Sequence, residues 1–556
     1  MERQFEALSQ QAFDVAIIGG GVQGAATARE AALRGLKVAL VEARDFASGT
    51  SSRSSKLIHG GLRYLGQYDF RLVREARVER RRLSQIAPHL ARPVPFLLPI
   101  YRADPYRPLK LRVGLTLYDA MGNLGRNDRH RWLSAGEATR EAPRLQLDGL
   151  RAIAEYHDSL TDDARLTVEY LLDASAHGAV IANYAAVCGV ATASPSGAKR
   201  VVGAEVEDRL SGRRVELTAR VWVNAAGPWV DHVRALVPGF DGSKTVRLTK
   251  GTHVIIPAPF GKYALLASIP PGDRVFLTVP WHNMALLGTT DTDYEGDPAA
   301  VKPDPAEADY LLGALNRVLR QPLGQRDVKS AWAGLRALVA QNGKPGKPGE
   351  TPSATTREYR FHQDPWVENF ISICGGKLTT ARALGEHLVN HIAARPDMVD
   401  IPGARAFDRR VSRTAPLPGG QTGTFDVYVD YASWEAVRLF DIPHPVAARI
   451  VCTYGSRWRD VLQPIAGDRS LARPLPGSPT LIAAEVDFAI RQEMAMGVDD
   501  FLLRRSGLSW TAALLPEIAT PAAEIFAAHF GWNEERKQAA VASVDYNEWT
   551  RNPGPR

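Results

Sequence analysis

The clearest hydrophobic pattern in the chain lies near its start. A short apolar run at residues 13–18 (FDVAII) is followed by glycines, by an alanine-rich segment that ends at Gly35, and by a second apolar run at residues 36–41. This succession predicts a covered strand, a turn, a helix that stops at Gly35, and a second parallel strand. We therefore expect a Rossmann-type α/β domain to begin here.

The pattern changes twice further along the chain. Residues 250–295 alternate apolar and polar positions, as in THVIIP and MALLGTTD, which predicts an antiparallel sheet of half-buried strands. From about residue 405, apolar residues recur at intervals of three and four, which predicts a separate C-terminal helical domain. Residues 341–355 are rich in Gly, Pro and Lys, and we expect a mobile excursion there.

The turn after the first strand carries candidate chemistry. Gly19, Gly21 and Gly24 have G-x-G-x-x-G spacing, which allows a tight turn, close approach of the backbone to a pyrophosphate, and close packing of helix on strand. Glu42 follows the second strand, where a carboxylate can accept hydrogen bonds from the ribose of an adenosine. Strand, turn, helix, strand and acid fall in register, so a dinucleotide site is predicted; the alternative is that the glycines only close a tight turn.

Residues 43–65 (ARDFASGTSSRSSKLIHGGLRYL) are crowded with small hydroxyl residues and glycines. A surface linker is also serine-rich, but it does not usually continue into a run such as KLIHGGLR. We predict a loop folded beneath a bound cofactor. Its candidate ligands are Thr50, Ser51, Ser52, Ser55, Lys56, His59 and Gly60.

Two further segments of small residues follow, where the backbone can pass close to a ligand. We call these two segments and the turn at residues 19–24 the three glycine crossings. The apolar run at residues 221–225 ends at Ala226 and Gly227, where the backbone can pass close to a planar or phosphorylated group. Gly375 and Gly376 open a predicted helix that runs from about Lys377 to Ala393, and N–H groups at a helix start stabilise negative charge. More than one glycine crossing fits an FAD-sized ligand better than a nicotinamide cofactor, although the first crossing alone does not decide.

Composition limits the class of protein. A chain of 556 residues predicts two or three domains, and 45% hydrophobic with 23% charged residues is usual for a soluble globular protein. The three cysteines are far apart, so neither a disulfide framework nor a metal site is predicted. No apolar run approaches the roughly 18 residues of a membrane span, and we expect a cytoplasmic protein or one on a membrane face reached from the cytoplasm.

The net charge of +7 is modest, but it is unevenly distributed. Between Arg71 and Arg82 there are six arginines and two glutamates, and more cations follow among apolar residues: Arg102, Arg107, Lys110 and Arg112. Such a mixture can contact an anionic membrane surface, whereas the alternative for Arg71 to Arg82 is a solvated helix face. Nucleic acid is not an expected partner, because no nucleic-acid-binding motif accompanies the charge.

Several blocks carry a family resemblance. The run SSRSSKLIHGGLRYL (51–65) resembles the hallmark segment of FAD-dependent, quinone-linked glycerol-3-phosphate dehydrogenases. Five further segments resemble that family's other blocks and occur in the same order: HDSLTDDARL (157–166), VNAAGPWVD (223–231), KGTHVIIP (250–257), PWHNMALLGTTDTDYEGDP (280–298) and CGGKLTTAR (374–382). The similarity spans about residues 10–400, and DFLLRRSGL (500–508) resembles the family more weakly.

The resemblance implies an amino-acid-oxidase-like flavoprotein fold with three kinds of segment. It places the FAD-binding parts at about 10–80, 150–245 and 355–400, a substrate-covering antiparallel sheet at about 81–149 and 246–354, and the helical domain at 405–556.

The resemblance also implies a reaction. We expect oxidation of sn-glycerol 3-phosphate to dihydroxyacetone phosphate by hydride transfer to FAD, with electrons passed to a quinone by a protein that is peripheral on the inner face of the cytoplasmic membrane. A homodimer is left open. The alternatives are an oxidase that reduces oxygen, a related flavoenzyme of 2-hydroxy or amino acids, and a flavin-bound scaffold or redox sensor without turnover.

A phosphorylated substrate needs cationic donors, and the candidates are Arg63, Arg336 and Lys377, which lie inside or beside glycine-rich blocks. The segment SAWAGLRALV around Arg336 resembles the family's active-site arginine segment, and the alternative for each cation is a surface or structural ion pair. A carboxylate substrate would ask for one paired arginine instead, so the cluster favours phosphate. Tyr64 and Thr379 are predicted to lie beside the substrate.

Removal of the hydroxyl proton calls for a base with a pKa near neutrality. His253 is favoured because the covering sheet should carry it over the flavin; His59, or water with Arg336 lowering the hydroxyl's pKa, are the alternatives. Ala337 and Ala381 stand where the family usually has proline and tyrosine, and neither difference removes a charge that the chemistry needs.

Overall fold

The computed structural model describes residues 1–67, 69–104, 108–122, 129–194, 198–269, 274–340, 358–401, 410–508, 510–511 and 516–544. The predicted excursion at residues 341–355 lies outside these ranges, as do Arg107 and the side chain of Arg63.

The described ranges contain nineteen strands. In chain order they are β1 Phe13–Ile18, β2 Val38–Val41, β3 Leu57–Ile58, β4 Arg92–Tyr101, β5 Arg131–Leu133, β6 Leu150–Leu160, β7 Val180–Ala182, β8 Ala185–Ala193, β9 Arg200–Asp208, β10 Arg214–Leu217, β11 Ala219–Asn224, β12 Val246–Pro257, β13 Ala264–Ser268, β14 Val275–Trp281, β15 Met284–Gly288, β16 Thr292–Asp293, β17 Ser330–Val339, β18 Arg360–Gln363 and β19 Phe370–Cys374.

The α-helices belong to two groups. Those of the first 400 residues are α1 Val22–Leu33, α2 Phe70–Ile86, α3 Pro108–Gly122, α4 Ala135–Glu141, α5 Asp163–Ala176, α6 Val230–Arg234, α7 Pro305–Asn316 and α8 Ala381–Ala393. The C-terminal group is α9 Phe425–Phe440, α10 His444–Tyr454, α11 Trp458–Leu462, α12 Ala483–Glu493, α13 Val498–Arg504, α14 Pro516–Phe530 and α15 Glu534–Ser543.

A six-stranded sheet holds the predicted βαβ unit. Its order is β18-β19-β11-β1-β2-β7, parallel except for the edge strand β18. Helix α1 packs between this sheet, α5 and α8, and its small alanine side chains let α8 approach closely: a Cβ on Gly385 would lie 2.7 Å from the carbonyl oxygen of Ala26. The predicted Rossmann-type α/β fold is confirmed.

A ten-stranded sheet covers the first one. Its main order is β16-β12-β15-β14-β13-β4-β6-β3, with β17 paired to β12 and β5 paired to β6. The predicted antiparallel sheet is confirmed for the strands of residues 246–339, but β13 pairs in parallel with β4. The sheet is also wider than expected, because β3 and β6 come from ranges predicted to bind FAD. Strand β6 joins the sheet through a long antiparallel pairing with β4, a non-local contact that the hydrophobic pattern does not reveal.

A smaller sheet of β8, β9 and β10 packs with the opposite face of the first sheet, where Trp222 and Phe370 are fully buried. No described helix is long and apolar enough to cross a bilayer.

The C-terminal helices form the predicted helical domain, and buried charges join it to the rest of the chain. Asp45, in the loop after β2, accepts hydrogen bonds from Arg504 and from both terminal nitrogens of Arg505, at 2.7 and 3.0 Å for the latter. Arg165 on α5 makes a two-bond ion pair with Glu493 on α12. The helical domain is therefore fixed on the flavoprotein fold through side chains that are withdrawn from water.

Candidate active site

A cavity of about 540 Å³ lies between the two large sheets, where the ends of β1, β2 and β11 face β12 and β17. It brings together residues from all three predicted crossings. The predicted site residues in its lining are Gly19, Gly21, Glu42, Thr50, Ser51, Ser55, His59, Tyr64, Ala226, Gly227, His253, Arg336, Gly376, Lys377 and Thr379.

Four other predicted ligands lie outside the cavity lining, where they contact neighbouring parts of the chain. Gly24 has no room for a side chain, because a Cβ there would clash with the carbonyl oxygen of Gly19. Ser52 is buried and its carbonyl oxygen accepts a hydrogen bond from Trp510. Gly60 donates its N–H to Asp158 at 3.0 Å. Lys56 is directed away from the cavity.

The Lys56 ammonium group forms a buried ion pair with Asp163, with 2.6 Å between Nζ and Oδ1, and it also lies 4.9 Å from the centre of the Trp281 ring. A buried ammonium group that is already neutralised in this way holds the loop to α5, and Lys56 does not belong to the cavity lining.

The first crossing is a bare backbone surface. Gly19 has φ of 118°, a region that favours glycine, and a Cβ there would lie 2.6 Å from the carbonyl oxygen of Ala225. Gly21 precedes the first turn of α1, whose N–H groups face the cavity end of the helix. Backbone of this kind can approach a pyrophosphate and stabilise its charge.

The carboxylate of Glu42 lies beside this crossing. It accepts hydrogen bonds from the N–H of Gly20 at 2.7 Å and of Arg44 at 2.9 Å. Burial raises the pKa of Glu42 above its usual value, although both hydrogen bonds favour the charged form. The carboxylate is thereby oriented at the end of β2, beside the cavity.

The third crossing is tied to the first by a side chain that the motif does not specify. Gly375 and Gly376 both have positive φ, of 76° and 90°, before a short 3-10 turn and α8. Gln23, inside the G-x-G-x-x-G turn, donates from Nε2 to the carbonyl oxygen of Gly375 at 2.6 Å. The starts of α1 and α8 thus converge on one cavity.

His253 lies on β12, opposite Trp332 of β17 and Gly288 of β15. It is buried; Nε2 lies 2.8 Å from the hydroxyl of Ser55, and Nδ1 has no hydrogen-bond partner among the described residues. Burial, followed by the charges of Arg336 and Lys56, lowers the pKa of His253 to about 3. This pKa lies well below the near-neutral value expected of the base; the imidazole is neutral at physiological pH, in the form that accepts a proton.

Arg336 lies on β17, with its guanidinium held at the edge of the cavity. It donates to Asp291 at 3.1 Å and to the hydroxyl of Thr289 at 3.0 Å. On the neighbouring strand β12, Arg336 pairs with Thr249, and Gly251 two positions further along leaves room for the guanidinium, because a Cβ there would clash with it. A carboxylate and a hydroxyl thus orient this cation.

Lys377 and Tyr64 meet at the other side of the cavity, with Nζ 3.8 Å from the centre of the phenol ring. The hydroxyl of Thr379 accepts a hydrogen bond from the N–H of His59 at 3.2 Å and donates one to the carbonyl oxygen of His59 at 3.4 Å. The loop that carries His59 and Tyr64 is therefore fixed to the start of α8.

Sequence reasoning missed several lining residues. Gln23 and Arg53 line the cavity from the glycine turn and from the serine-rich loop, where neither has a signal of its own. Asp291 is outside the lining but orients Arg336, and its block carries only the family resemblance. Trp229 follows the second crossing and lies under Arg44, with 5.6 Å between the guanidinium carbon and the ring centre. The described residues contain no group of three His, Cys, Asp or Glu side chains placed to hold a metal ion.

Comparisons with known proteins agree with this geometry. A family model described as FAD dependent oxidoreductase matches residues 14–391, and one described as C-terminal domain of alpha-glycerophosphate oxidase matches residues 410–537. The aerobic glycerol-3-phosphate dehydrogenase of Staphylococcus haemolyticus is 34% identical over 510 residues, which are 90% of this chain and 87% of that protein. The chain belongs to the FAD-dependent glycerol-3-phosphate dehydrogenase family.

Other members of this family support the same assignment. Glycerol-3-phosphate dehydrogenase 2 of Mycobacterium tuberculosis is 36% identical over 542 residues, covering 96% of this chain and 88% of that protein. A solved structure of the glycerol-3-phosphate dehydrogenase from Bacillus halodurans, complexed with FAD, has a TM-score of 0.75 at 29% identity and covers 97% of this chain and 95% of that one.

FAD is the cofactor of this family, and the cavity fits it. The Gly19 and Gly376 crossings offer bare backbone to a pyrophosphate and to a ring system, and the oriented carboxylate of Glu42 suits a ribose. A Cβ at Gly19 or Gly376 would clash with Ala225 or Gln23, so a side chain at either position would displace the backbone that borders the cavity.

Proposed function

We propose that this chain oxidises sn-glycerol 3-phosphate to dihydroxyacetone phosphate with FAD as the hydride acceptor, and that a membrane quinone takes the electrons. The observation that carries the proposal is that Arg336, Lys377 and His253 line one cavity with the glycine crossings. Two cations suit a phosphate, and a neutral imidazole suits the departure of a hydroxyl proton.

The phosphate-binding role belongs to Arg336 and Lys377, with Arg63 as a further predicted donor. Each charge-assisted hydrogen bond to a phosphate oxygen contributes about 1.5–3 kcal/mol. Asp291 orients the guanidinium of Arg336 at the wall of the cavity that it lines. Tyr64 and Thr379 are proposed as hydrogen-bonding neighbours of the same substrate.

The proton-accepting role belongs to His253. When bound, FAD supplies the hydride acceptor; the chain must then remove the proton of the oxidised hydroxyl. Ser55 fixes one nitrogen of His253, and the other has no hydrogen-bond partner in the described structure. A phosphate dianion bound at Arg336 offsets the positive charge that lowers the pKa of His253, so the bound substrate strengthens the base. His59, also in the cavity lining, is the alternative acceptor.

A place on the inner face of the cytoplasmic membrane is part of the proposal. Helix α3 exposes Leu109, Val113 and Leu117, spaced by four residues, with 74%, 63% and 40% of each residue accessible. Next to it, a cleft between α2 and α3 is lined by Arg74, Arg81 and Arg82. An exposed apolar stripe beside clustered arginines is the pattern of a helix that rests on anionic lipid.

The second candidate is an oxidase that passes electrons to oxygen. It is favoured by one observation, the match of residues 410–537 to the C-terminal domain of alpha-glycerophosphate oxidase. The homodimer left open by the resemblance stays a prediction.

An anaerobic titration of the yellow holoprotein tests the proposal. Glycerol 3-phosphate should bleach the visible flavin band at equimolar amounts, while lactate and a D-amino acid should leave it unchanged. Reoxidation by a quinone analogue much faster than by oxygen supports the dehydrogenase; rapid hydrogen peroxide production in air favours the oxidase instead. Bleaching by a control substrate, or by none, would contradict the phosphate assignment.

A further inference from the structure

His253 is the first ring of a stack of three. Its imidazole lies 5.3 Å from the ring of Trp332 at an interplanar angle of 16°, and Trp332 lies 5.4 Å from Trp510 at 21°. Trp332 is the cross-strand neighbour of His253, but Trp510 follows α13 in the C-terminal part of the chain. The proposed proton acceptor is thus backed by two indoles, the second of which is supplied from beyond the flavoprotein fold.

The other sides of the imidazole are also restricted. A Cβ on Gly288 would clash with the ring of His253, so backbone lies directly against its edge. Ser55 contacts Nε2 at 2.8 Å. Gly288 and Ser55 restrict the edge and one nitrogen of the ring, and the stacked indole of Trp332 fixes the ring plane. The position of Trp332 depends in turn on the residue that packs against its other face.

Trp510 packs against the other face of Trp332 and is itself held by hydrogen bonds. Its indole N–H donates to the carbonyl oxygen of Ser52 at 3.1 Å, and its own carbonyl accepts from the hydroxyl of Ser330 at 2.5 Å. Its φ is 63°, a left-handed conformation that bulky residues rarely adopt. Such conformations persist where the surrounding contacts hold them, and they concentrate at functional sites.

The segment that delivers Trp510 is itself anchored to the flavoprotein fold. Arg504 and Arg505 both bind Asp45, and His282 donates from Nε2 to the carbonyl oxygen of Gly507 at 2.8 Å. Burial alone would raise the pKa of Asp45, but the charges of Arg505 and Arg504 outweigh it and hold that pKa below its usual value. The anchor therefore stays charged, and Trp510 has little freedom to withdraw.

We propose that Trp510 is a positioning residue: through Trp332 it fixes the plane of His253, so that the C-terminal region takes part in the oxidation step. This inference rests on the proposed role of His253 as the proton acceptor. The phosphate-binding cations Arg336 and Lys377 are not part of the stack, so the contribution of Trp510 is to rate rather than to substrate affinity.

The first test compares Trp510→Ala with Trp510→Phe in the holoenzyme. Trp510→Ala should lower the rate of flavin reduction by glycerol 3-phosphate on the order of tenfold with the substrate Kd within about twofold, because a displaced base lowers rate rather than binding. Trp510→Phe retains a ring and should recover most of the rate. Trp532→Ala, which removes an indole stacked on Phe526 in the same domain, should leave the rate unchanged.

If Trp510→Ala does not retain FAD, Trp510→Leu replaces it, because leucine keeps bulk without a ring to stack. The inference then requires that Trp510→Phe be fast and Trp510→Leu slow. Equal rates for the phenylalanine and leucine variants, or a loss that appears in Kd alone, would overturn it.

A double variant separates this inference from the proposed function. His253→Asn together with Trp510→Ala should be no slower than His253→Asn alone, because the inference assigns the effect of Trp510 on the rate to its support of that imidazole. If His253→Asn itself keeps the wild-type rate, the role of His253 falls. If His253→Asn is slow and the two losses of rate multiply, His253 keeps its role and the inference about Trp510 is wrong. The same conclusion follows if His253→Asn is slow and Trp510→Ala reduces flavin at the wild-type rate.

Discussion

The Nζ atom of Lys56 lies 2.6 Å from Oδ1 of Asp163, and both side chains are fully buried. Asp163 also accepts from the N–H and hydroxyl of Ser54, at 3.0 and 2.7 Å. This carboxylate therefore holds the loop beneath the cavity against the first turn of α5.

The first prediction concerns this ion pair. Asp163→Asn should lower the free energy of unfolding of the holoprotein by about 3–5 kcal/mol, because it leaves the buried ammonium of Lys56 without a counter-charge. Urea denaturation followed by flavin fluorescence measures the change. Glu6→Gln breaks an ion pair between two side chains, those of Glu6 and Arg213, that are both more than half exposed. This change should lower the free energy of unfolding by only about 0–1 kcal/mol. Similar losses for the two variants would contradict the structural role of Lys56.

The second prediction compares two glycines in helices. Gly24→Ala should weaken FAD binding on the order of tenfold or more, about 1.4 kcal/mol, because its Cβ displaces the carbonyl of Gly19 from the cavity wall. A Cβ on Gly313 of α7 would have no described atom within 4 Å, so Gly313→Ala should leave FAD binding unchanged and slightly stabilise the helix. Titration of the apoprotein with FAD gives both affinities.

The third prediction concerns the phosphate. Arg336→Ala should lower kcat/KM for glycerol 3-phosphate by about 10–100-fold, as expected when one charge-assisted bond of about 1.5–3 kcal/mol is lost. Activity on glycerol, which has no phosphate, should fall far less. Arg326→Ala, at an exposed turn, is the matched control. An equal loss on both substrates would mean that Arg336 acts on the reacting alcohol and not on the phosphate.

The fourth prediction concerns pH. With a pKa of about 3 in the free enzyme, His253 is deprotonated throughout pH 5–8, so it contributes no acid limb to kcat/KM in that range. The limb that appears should follow the second ionisation of the substrate phosphate, near pH 6. His253→Asn should therefore lower the whole profile without moving its midpoint. A midpoint that shifts in this variant would show that His253 titrates in the free enzyme.

Local spacing accounts for the part of the site that the sequence predicted. Gly19, Gly21 and Glu42 belong to one βαβ unit, in which the constraints of a turn and a pyrophosphate act on residues close in sequence. The order of the glycine crossings likewise followed from short patterns. These elements have a local signature because their function is carried by backbone.

Partners distant in sequence account for the rest. Lys56 was predicted to bind the cofactor, but the residue that pairs with it, Asp163, is 107 positions away and carries no signal of the pairing. Trp332 and Trp510 resemble ordinary core aromatics until the fold stacks them on His253. The pairing of β4 with β6 is likewise a contact that periodicity does not specify.

The fifth prediction concerns the membrane. Leu109→Glu combined with Val113→Glu should abolish binding to vesicles that contain anionic lipid, because carboxylates replace the apolar stripe of α3. Wild-type binding should weaken at high salt, which screens the neighbouring arginines. Val427→Glu with Tyr431→Glu, on the exposed face of α9, is a matched control that should bind normally. Equal loss in both double variants, or salt-independent wild-type binding, would contradict the assignment of α3.

The ion pair between Asp45 and Arg505 can form only late in synthesis of the chain. The two residues are 460 positions apart, and at about 5–20 residues per second the ribosome needs roughly 20–90 s to pass from one to the other. During that interval the loop after β2 lacks the guanidinium groups that neutralise its carboxylate. Although its first strand is made first, the N-terminal domain of this chain is completed only after Arg505 has been made.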